Sequence, residues 1–132
     1  MSVDFSQLVQ FGKALKSLEK VDINRMYMDL TKEIAQVFLA KVIPRTPVDT
    51  GTLRNSWTTK NTRIVKKGAS YHIYITNNSE YADYLEYGHR TKGGKGWVNG
   101  YFFATITEEE VKGLIPAMLE KKISKLIKDK LK

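Results

Sequence analysis

Asp49-Thr50-Gly51-Thr52 reproduces the D-T-G-T signature of aspartic proteases, in which two carboxylates share a proton and activate water. In a chain of 132 residues a second copy would have to supply the other aspartate. The surroundings oppose that chemistry. A catalytic aspartate loop follows a buried apolar strand, whereas Pro44-Arg45-Thr46-Pro47 precedes this one. The same residues suit a turn in which Asp49 accepts N–H bonds from Gly51 or Thr52. A second candidate is the run from Gly88 to Gly96, rich in glycine and cations. It fails the P-loop pattern, with His89 at a glycine position and Gly96 in place of the Ser or Thr that would hold magnesium. A mobile basic loop is the simpler expectation.

The remaining polar clusters point to surfaces. Glu80, Asp83 and Glu86 lie three apart and read as a solvated helix face. Glu108 to Glu110 favour a helix start. Lys112, Lys121, Lys122, Lys125, Lys128, Lys130 and Lys132 form either a polyanion-binding stripe or a solvated face. Tyr71, Tyr74, Tyr81, Tyr84 and Tyr87 are suited to stacking on bases, although at least half are expected in the core or an interface. There is no cysteine, and His72 and His89 are too few for a histidine-rich metal cluster. No nucleophile–base–orienter set emerges, so the sequence carries no positive sign of catalysis, cofactor or metal. The formal charge of +8 favours a polyanion or an acidic protein face without choosing between them. Met1 to Leu18 lacks a signal-peptide pattern, and Val37–Ala40 and Leu114–Leu119 are too short to span a bilayer. A soluble chain made in the cytoplasm is expected.

These residues need elements to position them. Phe5, Leu8, Phe11, Leu15 and Leu18 predict an amphipathic helix over 4–18, within a helical arm spanning 1–20. Ile23, Met26, Tyr27, Leu30, Ile34, Val37, Phe38 and Lys41 predict a long helix, ended by Pro44 and Pro47. Residues 44–55 form a turn-rich connection. Strands over about 56–66 and 69–76 pair as a hairpin around Lys67-Gly68. Asn77 to Ser79 make a turn and a helix N-cap, Glu80 to Tyr87 a short helix, and Gly88 its stop. Residues 89–100 form a flexible, basic, glycine-rich loop. The last helix begins at Thr107, or as early as Phe102. Leu114, Met118, Leu119, Ile123, Leu126, Ile127 and Leu131 carry its period to the end, and Pro116 kinks or restarts it. The expected fold is α+β in a single domain, 1–132: N-terminal helices including one long one, a small antiparallel sheet with a hairpin, a short helix and a C-terminal helix.

The segment Thr46-Pro47-Val48-Asp49-Thr50-Gly51-Thr52-Leu53-Arg54-Asn55-Ser56, followed by Tyr81-Ala82-Asp83-Tyr84-Leu85-Glu86-Tyr87-Gly88, resembles the neck or tail-completion proteins of tailed bacteriophages and prophages. Their pattern covers roughly residues 22–130. It departs from many members at Gly100-Tyr101-Phe102-Phe103, where a Pro-Phe entry to the last helix is common. The resemblance marks Pro47, Asp49, Gly51, Leu53, Arg54, Ser56, Tyr81, Ala82, Glu86 and Gly88 as motif positions. On the physical reading, Asp49 and Gly51 fix a turn, Leu53 buries at its base, and Arg54 pairs with Glu86 across the two motifs. The resemblance implies a non-catalytic subunit of the head–tail junction or tail end, in the virion and, during assembly, in the host cytoplasm. It implies a homo-oligomeric ring, neck, connector or tail-tube proteins as partners, DNA contact in the channel, and no membrane. Arg90, Lys92, Lys95, Trp97, Tyr101 and Phe102 are read as a docking loop, basic at one end and aromatic at the other. A small nucleic-acid-binding protein is the alternative.

Overall fold

The computed structural model describes residues 1–4, 20–48, 51–68 and 70–130. The elements run β1 (Ser2–Asp4), α1 (Lys20–Arg45), α2 (Thr52–Asn55), a 3-10 turn (Thr59–Asn61), β2 (Thr62–Lys67), β3 (Ser70–Thr76), α3 (Ala82–Tyr87), β4 (Gly88–Arg90), β5 (Trp97–Asn99) and α4 (Phe103–Lys130). An antiparallel three-stranded sheet has the order β1-β3-β2, and β4 and β5 form a separate antiparallel ribbon. The fold is α+β, as the sequence predicts.

The core follows from two periodicities. On α1, Met26, Leu30, Ile34, Phe38 and Val42 recur every four residues and all are buried. On β3, Tyr71, Ile73 and Ile75 alternate into the same core, where the Tyr71 ring stacks on Tyr27 with centroids 5.3 Å apart. The two long helices lie antiparallel, as their ion pairs show: Lys122 meets Glu33 at 3.0 Å, and Lys41 and Arg45 both meet Glu110. Hydrogen bonds from Lys41 and Arg45 hold the Glu110 carboxyl below its ordinary range.

Several expectations change. Ser2–Asp4 is a strand, not the start of a helical arm, because Val3 is buried opposite Ile75. The rest of the predicted 4–18 helix lies outside the described residues. The strand expected from 56 begins at Thr62, after α2 and the 3-10 turn. Helix α1 runs through Pro44 to Arg45. A proline this near the end forfeits one intrahelical bond, and Thr46 then closes the last turn. Its N–H and its hydroxyl both donate to the Val42 carbonyl, at 2.9 and 2.6 Å. Helix α4 starts at Phe103 and is continuous through the exposed Pro116. Its buried face uses Val111 and Leu119, while Leu114 and Ile127, expected on that face, are exposed. The predicted loop 89–100 contains the β4–β5 ribbon.

Candidate functional site

The first motif is a knot around the end of α1. Gly51 has φ of 85°, in the left-handed region, and starts α2, whose Leu53 is buried. The Arg54 guanidinium donates from Nε to the Thr46 carbonyl at 2.7 Å and from a terminal nitrogen to the Pro44 carbonyl at 3.1 Å. Trp57 is buried, donates from its indole nitrogen to the Thr46 hydroxyl at 3.0 Å, and packs edge-on against Phe38. Ser56 closes α2 through the Thr52 carbonyl. Pro47 is half-buried between these groups in sequence, and Asp49 lies outside the described residues. Asn77, expected only in the turn and N-cap before α3, also ties three segments together. It is buried, donates to the Leu53 carbonyl at 2.9 Å, accepts from the Ser79 N–H at 2.9 Å, and donates its own N–H to Met1.

The expected Arg54–Glu86 pair does not form. Glu86 is fully buried, with Ala82 beside it in the core, and so is not part of a solvated acidic face. Its two carboxylate oxygens instead accept from Ala104 N–H at 2.9 Å, Thr105 N–H at 2.8 Å and the Thr105 hydroxyl at 2.9 Å. The first turn of α4 has unpaired N–H groups and a partial positive charge, so it replaces a cationic partner. Glu86 thereby joins the second motif to the last helix. The joint is close-packed. Gly88 has φ of 93°, and a Cβ there would come within 2.4 Å of the Val98 carbonyl oxygen. A Cβ on Gly100 would come within 2.2 Å of the Glu86 carbonyl oxygen. Tyr101 and Phe102 donate their N–H groups to the carbonyls of Leu85 and Glu86, at 2.8 and 3.0 Å. Phe102 is held at φ of 52°, unusual for a residue with a side chain.

This joint carries an exposed aromatic surface. Tyr81, Tyr84 and Tyr87 project from α3, Trp97 and Val98 from β5, then Tyr101, Phe102 and Ile106 from the approach to α4 and its first turns. Tyr81, Tyr101 and Trp97 are 65%, 62% and 59% exposed. Rings meet edge-on between Tyr84 and His89, at 5.7 Å, and between Tyr87 and Phe102, at 6.4 Å. Burial, then the nearby Glu86, Asp83 and Glu108 carboxylates, raise the Tyr87 phenol, which stays neutral at physiological pH. Arg90, Lys92 and Lys95 are exposed around the ribbon tip. Thr91 organises that tip by accepting N–H bonds from Gly94 and Gly96 and donating its own to Gly96. The six residues read as a docking loop lie on the β4–β5 ribbon, at its tip and just before α4, and all six are exposed. Sequence reasoning missed Tyr81, Tyr84, Tyr87 and Ile106 as members of this surface; their spacing alone does not separate a core face from an exposed one.

Among the described residues no group of three His, Cys, Asp or Glu side chains is placed to hold a metal ion, and no helix is long and apolar enough to cross a membrane. Residues 10–88 match the family model described as "Bacteriophage HK97-gp10, putative tail-component". The chain belongs to the HK97 gp10-like family. Neither a curated protein nor a solved structure matches it. The matched span of this gp10-like chain takes in α1, the Thr46 knot, β2, β3 and α3, and it ends at Gly88, where the aromatic ribbon begins.

Proposed function

We propose that this gp10-like chain is a non-catalytic building block of a tailed-phage or prophage particle, acting at the head–tail junction or tail end. Copies join in a closed ring, and the aromatic end of each subunit docks on a neighbouring neck, connector or tail-tube protein. The observation that carries this reading is the run of large apolar side chains, Tyr81 to Ile106, left in water on a family member of phage tail components. Surfaces of this size are unusual on a soluble monomer unless something covers them. The ribbon sharpens the point. Two strands alone are marginal in water, and Trp97, Val98 and Asn99 are all exposed. Aromatic anchors beside the cations of the ribbon tip match the anatomy of interfaces, in which charge steers approach and apolar burial holds the complex. The ribbon is expected to move freely before assembly and to be held afterwards.

The test replaces Trp97 and Tyr101 together by serine in the phage or prophage that encodes the chain. Folded protein with loss of complete, tailed particles in electron micrographs is the expected result. Normal numbers of infectious particles would refute the assignment. A basic ring lining a channel would also meet the DNA passing through it.

A further inference from the structure

A second surface is formed by the three-stranded sheet. The outer face of the three-stranded sheet is set by register: Arg63 opposes Tyr74, Val65 opposes His72, and Lys67 opposes Ser70. Ile64, Ile73 and Ile75 point the other way, into the core. Arg63 sits over the Tyr74 ring, 5.2 Å from its centroid. The His72 and Tyr74 rings are almost parallel, at 9° and 6.2 Å between centroids. At one end of this face is a cleft of about 370 Å³, bordered by Lys60, Asn61, Arg63, Tyr74 and Asn78. None of its lining residues is acidic. In the three strands Asp4, opposite Tyr74, is the one acidic residue against Arg63, Lys66 and Lys67.

We infer that this face binds single-stranded nucleic acid, with a base against the Tyr74–His72 rings and phosphates on Lys60, Arg63 and Lys67. The cleft has room for one nucleotide, and its amides offer donors and acceptors for a base edge. A row of cations selects a polyanion. Flat, partly open rings select one whose bases are unstacked, which a duplex does not present. The inference is independent of the aromatic docking surface, because no residue is shared.

The experiment is fluorescence anisotropy of a labelled oligothymidylate with the full chain, from about 50 to about 200 mM salt. Three phosphate contacts to a single strand give a log–log slope near −2, so affinity should fall about twentyfold over that range. Tyr74→Ala should weaken binding about tenfold, while Tyr74→Phe, which keeps the ring, should leave it unchanged. Lys60→Glu with Arg63→Glu, both at exposed positions, should abolish it, with circular dichroism confirming the fold. Duplex DNA and inorganic polyphosphate should bind more weakly than the single strand. Absence of binding at the lowest salt would overturn the inference. So would equal affinity for duplex, or binding insensitive to the sheet variants but lost on replacing Lys121, Lys125 and Lys128 by glutamine.

Discussion

Replacing Glu86 by alanine removes the carboxylate that begins α4. The side chain is fully buried and accepts three hydrogen bonds from residues 104 and 105. Without it the Ala104 N–H is stranded in the core, at about 2 kcal/mol. The Thr105 N–H is nearer water, so its loss costs about 1 kcal/mol. The side chain's lost apolar burial adds about 1 kcal/mol. The sum is about 4 kcal/mol, or a fall in Tm of about 15 °C for a domain of this size. Glu86→Gln keeps the shape and one acceptor oxygen but loses the charge facing the helix terminus, at about 1–2 kcal/mol. Glu109→Ala, exposed on the same helix, should change stability by less than about 0.5 kcal/mol. Urea unfolding followed by circular dichroism gives all three values. If both Glu86 variants fall within about 0.5 kcal/mol of the parent, the helix start is held by something else and the reasoning fails.

Gly100→Ala and Gly88→Ala should each cost more than about 3 kcal/mol, because the added carbon meets backbone within 2.2 and 2.4 Å. Gly113→Ala, on an open face of α4, should instead raise stability by up to about 1 kcal/mol in the same urea titrations. Glu110 has a folded-state pKa below its ordinary 4.5. Its stabilising contribution is therefore complete above about pH 4.5 and is lost as pH falls through the lower folded value. Stability measured against pH should lose that segment of its slope in Glu110→Gln. Phe102→Gly relieves the left-handed backbone but raises chain entropy, so stability should change by less than about 1 kcal/mol. Particle assembly should nevertheless fail, since the exposed ring is gone; a complementation assay separates the two effects.

The long helices and the central hairpin were legible because their apolar periods are unbroken over several turns or alternations. Met26, Tyr27, Leu30, Ile34 and Phe38 on α1 and Tyr71, Ile73 and Ile75 on β3 are buried as their spacing requires. The motif glycines were legible too, since Gly51 and Gly88 both adopt positive φ. The partner of Glu86 was not legible. Pairing by opposite charge selects Arg54, but a helix N-terminus carries no residue-type label, and its position depended on the unresolved choice between Phe102 and Thr107. Arg54 is committed to the carbonyls of Pro44 and Thr46, which composition cannot reveal. The ribbon was hidden for another reason. Strands β4 and β5 are three residues each and sit among glycines and cations that individually favour a loop. Trp97 and Trp57 are the same residue type, and only the structure shows that the first is exposed and the second sunk in the core.

Oxidative footprinting read residue by residue in a mass spectrometer tests the docking account most directly, on the free protein and on particles purified with the chain in place. Trp97 and Tyr101 should be oxidised rapidly in the free protein and protected in particles, while the buried Trp57 stays slow in both. Trp97 and Tyr101 oxidised equally fast in particles and in free protein would contradict the claim that this face is where the chain is held.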